Sequence, residues 1–176
     1  MDYITDLPKT KRGNQHMLVI TDRLSKWPIF IPVPSLDGAT LARKFVKYYI
    51  AYHGLPDAIV SDRGEQFVRG VWAHICRIVK IKQRLSTAYH PETDGSTERM
   101  NQVIEEYIRH FAIYSQDNWD ELAPLGQIAI ASRDTTSTGM SPFFTTHGYH
   151  PRLGESVELP EQVLTYSLAR NPVDAA

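Results

Sequence analysis

Asp62 and Glu98 stand with 35 residues between them, and Asp2 lies far upstream of both. Carboxylates drawn from distant parts of a chain suit hard divalent cations such as Mg²⁺ and Mn²⁺, which take oxygen ligands. Three such groups can hold two ions about 3.5–4 Å apart, one activating a nucleophile and one stabilising a leaving oxygen, as in metal-assisted phosphoryl transfer. The chain has 20 acids, and residue type alone leaves Asp6, Asp22 and Asp57 open as alternatives. Asp6 is four residues beyond Asp2 and so shares its face if both lie on one strand. The seven histidines show no paired metal-ligand spacing, and the single cysteine, Cys76, excludes an internal disulfide and a Cys-rich zinc site.

Rigid elements must bring these acids together. DYITDL (Asp2–Leu7), HMLVITD (His16–Asp22) and PIFIPV (Pro28–Val33) read as three strands joined by short links, an antiparallel meander. Asp37 is placed to cap a helix whose apolar stripe is Leu41, Phe45, Tyr49 and Tyr52, stopped by Gly54 and Pro56. DAIVSD (Asp57–Asp62) is a short buried strand ending on Asp62, where ligands bind in open α/β sheets. Phe67, Val68, Val71, Trp72, Ile75, Cys76 and Val79 predict one amphipathic helix, and IKQRLS (Ile81–Ser86) a fifth strand.

A loop marked by Pro91 and Gly95 then leads to a helix that Ser96 can cap. Met100, Val103, Ile104, Tyr107, Ile108, Phe111 and Ala112 form its apolar stripe; Glu98, Asn101, Gln102, Glu105 and Arg109 are expected on the opposite face. Another helix is expected from about Trp119 to Arg133, capped by Asn118 or Asp117 and kinked or divided at Pro124. SPFF (Ser141–Phe144) places a cap and a proline at the start of a short helix ending near Gly148. The order β-β-β-α-β-α-β-α-α-α predicts one mixed sheet with helices on both faces.

Length and 42% apolar content support one compact α/β domain over residues 1–150, with 151–176 a tail or linker. No apolar run of 18 residues and no secretory leader is present, so no membrane partner is expected. The net charge of −1 is not the basic footprint of a stand-alone DNA binder. If nucleic acid is handled, metal ions must offset the local charge or other domains must supply affinity. RIVKIKQR (Arg77–Arg84) is the most basic segment, either a solvated face or a DNA contact.

SDRGEQF (Ser61–Phe67), YHPETDGSTERMNQ (Tyr89–Gln102), MDYITDLP (Met1–Pro8) and ITDRLSKWPIFIP (Ile20–Pro32) together resemble the catalytic core of integrases from gypsy-type LTR retrotransposons. Departures are Glu92 and Ser96 where glutamine is usual, and Glu65 where a small or polar residue is common. The resemblance implies an RNase H-like fold, a five-stranded mixed sheet flanked by helices. It implies a D,D(35)E triad of Asp2, Asp62 and Glu98, both catalytic and metal-binding, and so selects Asp2 over Asp6. Two Mg²⁺ (or Mn²⁺) ions per site are implied, with Tyr89, Pro91, Asp94, Gly95, Asn101 and Gln102 toward DNA. The implied reactions are removal of terminal nucleotides from the element's 3′ ends and strand transfer into target DNA.

Expected partners are element-end and target DNA, a homodimer or higher homo-oligomer, and an N-terminal zinc domain and C-terminal domain of the same polyprotein. The chain reads as an excised core whose first strand has lost its lead-in, leaving Asp2 mobile. The expected locations are the nucleus and a cytoplasmic virus-like particle. The alternatives are another RNase H-like transposase or nuclease, or a host-retained module that binds DNA or protein without catalysis.

Overall fold

The computed structural model describes residues 1–85, 100–109 and 117–152. Three antiparallel strands come first: β1 (Asp2–Ile4), β2 (His16–Thr21) and β3 (Pro28–Val33). Asp2 pairs with Val19 and Tyr3 with Leu18, and β2 pairs with β3 from His16↔Val33 to Thr21↔Pro28. β2 is a nearly continuous apolar run because both of its faces are covered. Leu18 and Ile20 point into one core and Met17 and Val19 into another.

α1 (Gly38–Phe45) starts at Asp37, whose carboxylate accepts from Thr40 N–H at 2.8 Å, as the sequence predicts. The helix continues through a π-helical turn (Val46–Ile50) into α2 (Ala51–His53). That turn alters the expected apolar stripe: Phe45 and Tyr49 stack, but Tyr52 is 78% exposed. β4 (Ala58–Ser61) and β5 (Lys82–Leu85) pair in parallel, from Ala58↔Lys82 to Ser61↔Leu85. The single helix expected between them is two, α3 (Glu65–Val68) and α4 (Gly70–Ile78). Arg69 is extended and Gly70 takes φ +67°, which breaks the helix and leaves Val71 on the surface.

Helical residues 100–109 (α5), α6 (Trp119–Ala131) and α7 (Pro142–His147) complete the described elements. α6 runs undivided through Pro124. A Cβ on its Gly126 would lie 2.9 Å from Ile104 Cδ1 and from Tyr107 Cδ1, so a bare backbone is what lets α6 approach α5. Ser141 Oγ accepts from Phe144 N–H and Pro142 opens α7. Among the described residues, no helix is long and apolar enough to cross a membrane.

Two apolar cores lie on opposite faces of the strands. Tyr3, Leu18, Ile31 and Ile59 pack with Leu41, Phe45, Trp72 and Cys76 of α1 and α4. Ile4, Met17, Val19 and Phe30 pack with Ile104, Ile108, Trp119 and Ala123 of α5 and α6.

The expected single five-stranded sheet is hydrogen-bonded as three strands plus two. The reason lies at the seam. Met1 and Tyr3 present their N–H groups to the same edge, toward β4. The Met1 amine donates to Val60 O at 2.6 Å, but the Tyr3 N–H is taken by its neighbour, Asp2 Oδ1, at 2.7 Å. β1 also stops at Ile4, short of the expected Leu7, and Asp6 takes φ +59°. Asp6 is therefore off the strand and does not share a strand face with Asp2.

Candidate active site

Asp2 and Asp62 approach one another from β1 and from the end of β4. The Met1–Val60 bond ties the strands at that point, and the charge of Asp62 is felt at Asp2. Asp2 is held: Oδ1 accepts from Tyr3 N–H at 2.7 Å and Oδ2 accepts from Asn101 Nδ2 at 2.9 Å. These bonds and the register with Val19 fix the residue expected to be mobile. Asp62 Oδ1 accepts from Gly64 N–H at 2.8 Å, a short turn that sets the carboxylate at the mouth of the β4–α3 link.

Burial is the main cause that pushes the Asp2 carboxyl above its ordinary value of 3.8, and the negative charge of Asp62 pushes the same way. The hydrogen bonds from Tyr3 N–H and Asn101 and the positive charge of the Met1 amine oppose both. Asp2 is thus a half-buried acid facing a like charge, and a cation between the two would relieve that repulsion.

Asn101 is not opposite the apolar stripe of α5. It stands about 80° from the stripe's centre at 100° per residue, on the flank, and is partly buried against Asp2. Its Oδ1 is buried and has no hydrogen-bond partner among the described residues. Gln102, one position on, is exposed. One turn after Glu98 in sequence, Asn101 was expected to bond either a phosphate or the acids, and here it bonds Asp2.

The donors present are oxygens: two carboxylates and one orphaned amide carbonyl. That set fits a hard divalent ion, Mg²⁺ or Mn²⁺, with Asp2 and Asp62 as ligands. Among the described residues no three acids, histidines or cysteines converge. Glu98, the third acid expected, lies outside the described residues, as do Tyr89, Pro91, Asp94 and Gly95. Residues 153–176, most of the expected tail, also lie outside them.

Known proteins share this sequence and this fold. A sequence profile described as integrase core domain matches residues 1–91. The chain is 34% identical over 161 residues to the transposon Tf2-3 and Tf2-4 polyproteins of Schizosaccharomyces pombe, covering 91% of its own length. It spans 12% of the length of those polyproteins.

Solved structures share the fold. The HTLV-2 integrase catalytic core domain in complex with magnesium (trimeric form) superposes with TM-score 0.65 at 16% identity, covering 83% of this chain and 94% of that one. The catalytic core domain of BIV integrase gives 0.59 at 14%, covering 81% and 90%. A chain of the simian T-cell lymphotropic virus intasome in complex with PP2A regulatory subunit B56 gamma gives 0.64 at 18%, covering 90% and 58%. The meander, the parallel β4–β5 pair and the flanking helices are therefore those of an RNase H-like integrase core.

Proposed function

Because the chain belongs to the integrase core domain family, we propose that it is a polynucleotidyl transferase acting on the ends of a retrotransposon's DNA. It trims the 3′ ends by hydrolysis and joins them to target DNA by attack of the 3′-hydroxyl. The observation that carries this reading is the placement of Asp2 beside the end of β4: the Met1 amine bonds Val60 O, two residues before Asp62, and Asn101 of α5 bonds the Asp2 carboxylate.

Asp2 and Asp62, with Glu98 as the third ligand, would hold two Mg²⁺ or Mn²⁺ ions. When bound, such ions polarise the attacking oxygen and neutralise charge on the leaving one. The rest falls to the chain itself. Asn101 and the Tyr3 N–H fix the Asp2 carboxylate, and the Gly64 N–H fixes that of Asp62. The loop with Tyr89, Pro91, Asp94 and Gly95, together with Gln102, contacts the DNA near the scissile phosphate, and Asn101 stands between that DNA and Asp2.

The test pairs activity with metal binding. Asp62→Asn should lower both 3′-end trimming and joining by at least about 100-fold, the order lost with a group that stabilises the transition state. Addition of Mn²⁺ should raise the melting temperature of the wild type and not of the variant. Unchanged activity in Asp62→Asn would end the enzymatic reading.

Self-association is part of the same proposal. Val46, on the π-helical turn after α1, and Val71, on α4, are 48% and 50% exposed and line an open apolar groove with Ala42 and Ile75. A second copy of the chain would cover this face. Sedimentation should show a dimer that Val71→Glu converts to monomer; monomer alone in the wild type at high concentration would remove this part.

A further inference from the structure

The near-neutral total charge conceals a division. Residues 38–85 contain nine of the 19 Lys and Arg but three of the 20 acids, a net +6, and the other residues together carry −7. Within residues 66–85 there are five cations, Arg69, Arg77, Lys80, Lys82 and Arg84, and no acid. Arg69 is occupied by Glu65 at 3.3 Å.

The fold decides where the cations of β5 point. Gln83 donates its Nε2 to Phe67 O at 2.7 Å and stands opposite Ile59, which is buried in the core beneath α1 and α4. Successive strand residues alternate faces. Lys82 and Arg84, opposite Ala58 and Val60, therefore project from the other face. β1 keeps the same alternation. Tyr3 stacks on Phe67 on the α1–α4 side, whereas Ile4 packs toward α5 and α6. Asp2 shares the α5 side with Ile4 and meets Asn101 there. Asp62 follows Val60 by two residues and continues that face beyond the end of β4. Lys82 and Arg84 thus lie on the same side of the sheet as the two acids, one strand away. Both are exposed, and neither is paired with an acid among the described residues.

We infer that Lys82 and Arg84 form a phosphate track, a strip along the β5 edge that receives the DNA backbone as it enters the Asp2–Asp62 site. The inference rests on the DNA-joining reading of that site and specifies where the site takes hold of its substrate. An acidic centre on a chain that is otherwise net negative repels DNA at long range. A local positive strip beside that centre draws in and orients the duplex. Two side chains alternating along one strand face supply point charges to the backbone and read no base edges, so the contact is independent of sequence.

The salt dependence of binding tests this. Affinity of the 176-residue chain for two duplexes of unrelated sequence is measured by fluorescence anisotropy between 50 and 200 mM NaCl. Each phosphate neutralised contributes about 0.9 to the slope of log K against log salt concentration. Lys82→Gln/Arg84→Gln should reduce that slope by about 2 and weaken binding equally on both duplexes. The charge-preserving Lys82→Arg/Arg84→Lys pair should retain the wild-type slope and establish that the fold is intact. Lys9→Gln/Arg133→Gln removes the same charge from exposed positions outside residues 38–85 and should leave the slope unchanged.

An unaltered slope in Lys82→Gln/Arg84→Gln overturns the track while leaving the DNA reading standing. An equal drop in the Lys9→Gln/Arg133→Gln control, or a loss on one duplex only, overturns it too, as a bulk charge effect or as base reading. A wild type with no salt-dependent affinity for either duplex overturns the DNA reading together with the track.

Discussion

Asp120, in the first turn of α6, accepts hydrogen bonds from Thr10 Oγ1 at 2.9 Å and Asn14 Nδ2 at 2.7 Å and is 6% exposed. Asp2, in β1, faces the charge of Asp62 and has its carboxyl pushed above the ordinary range. The first acid closes a network. The loop between β1 and β2 is clasped to α6 around it, by Trp119 Nε1 donating to Pro8 O at 2.6 Å, Lys11 near Asp117 at 3.5 Å and Arg12 near Glu121 at 3.1 Å. The second acid also accepts two bonds, but a like charge lies beside it, and the nearby Asn101 Oδ1 has no partner among the described residues. Most buried polar groups are satisfied by the fold, and one left without a partner beside two acids is available to a ligand.

The sharpest way to break this comparison is to remove each acid. Asp120→Ala strips the shared acceptor from Thr10 and Asn14 and leaves one buried and one half-buried donor unpaired. Stability should fall by about 3 kcal/mol, and the melting temperature by about 9 °C for a chain of this size. Trimming and joining per folded molecule should be retained below the transition. Urea denaturation gives the first quantity and an end-joining assay at low temperature the second. A loss of less than about 1 kcal/mol would mean that the clasp is not the buried network described.

The same contrast explains what could be read from the sequence. β2 and β3 were legible because continuous apolar runs admit few alternatives, and the Asp37 and Ser141 caps because their side chains bond the residue three positions on, Thr40 and Phe144. The family was legible in the motifs around Asp62 and Tyr89–Gln102, and the likeness to integrase cores and Tf2 polyproteins bears the family out. What escaped was backbone detail that tertiary packing decides. The π-helical turn that exposes Tyr52, the break at Arg69–Gly70 and the end of β1 before Asp6 follow from no local pattern. The choice of Asp2 over Asp6 came from resemblance; the positive φ of Asp6 supplies a physical reason that spacing could not. The basic segment Arg77–Arg84 was visible, but only the Gln83–Phe67 bond shows which of its cations share a face with the acids.

The finest test separates the two kinds of acid by the sign of their pH dependence. The folded state holds the Asp2 proton more tightly than the unfolded chain does. Its contribution therefore favours folding below pH 3.8 and is lost as pH rises through the raised folded value. Asp37 behaves oppositely. Hydrogen bonds from Ser35 and Thr40 hold its carboxyl below the usual range, so its contribution is present above pH 3.8 and lost as pH falls toward the folded value.

Asp37→Ala should cost about 1 kcal/mol at pH 7, and the deficit should narrow below pH 3.8. Asp2→Asn is neutral at every pH, and its amide can donate to the orphaned Asn101 Oδ1. Without metal it should gain on the wild type as pH rises above 3.8, by about 0.5 kcal/mol once screening of a half-exposed group is allowed for. Urea midpoints between about pH 3 and pH 7 measure both, within the range where carboxylates titrate. If Asp2→Asn instead loses ground as pH rises, Asp2 is a satisfied structural acid of the Asp37 kind, and the open site beside Asp62 is not held in reserve for a cation.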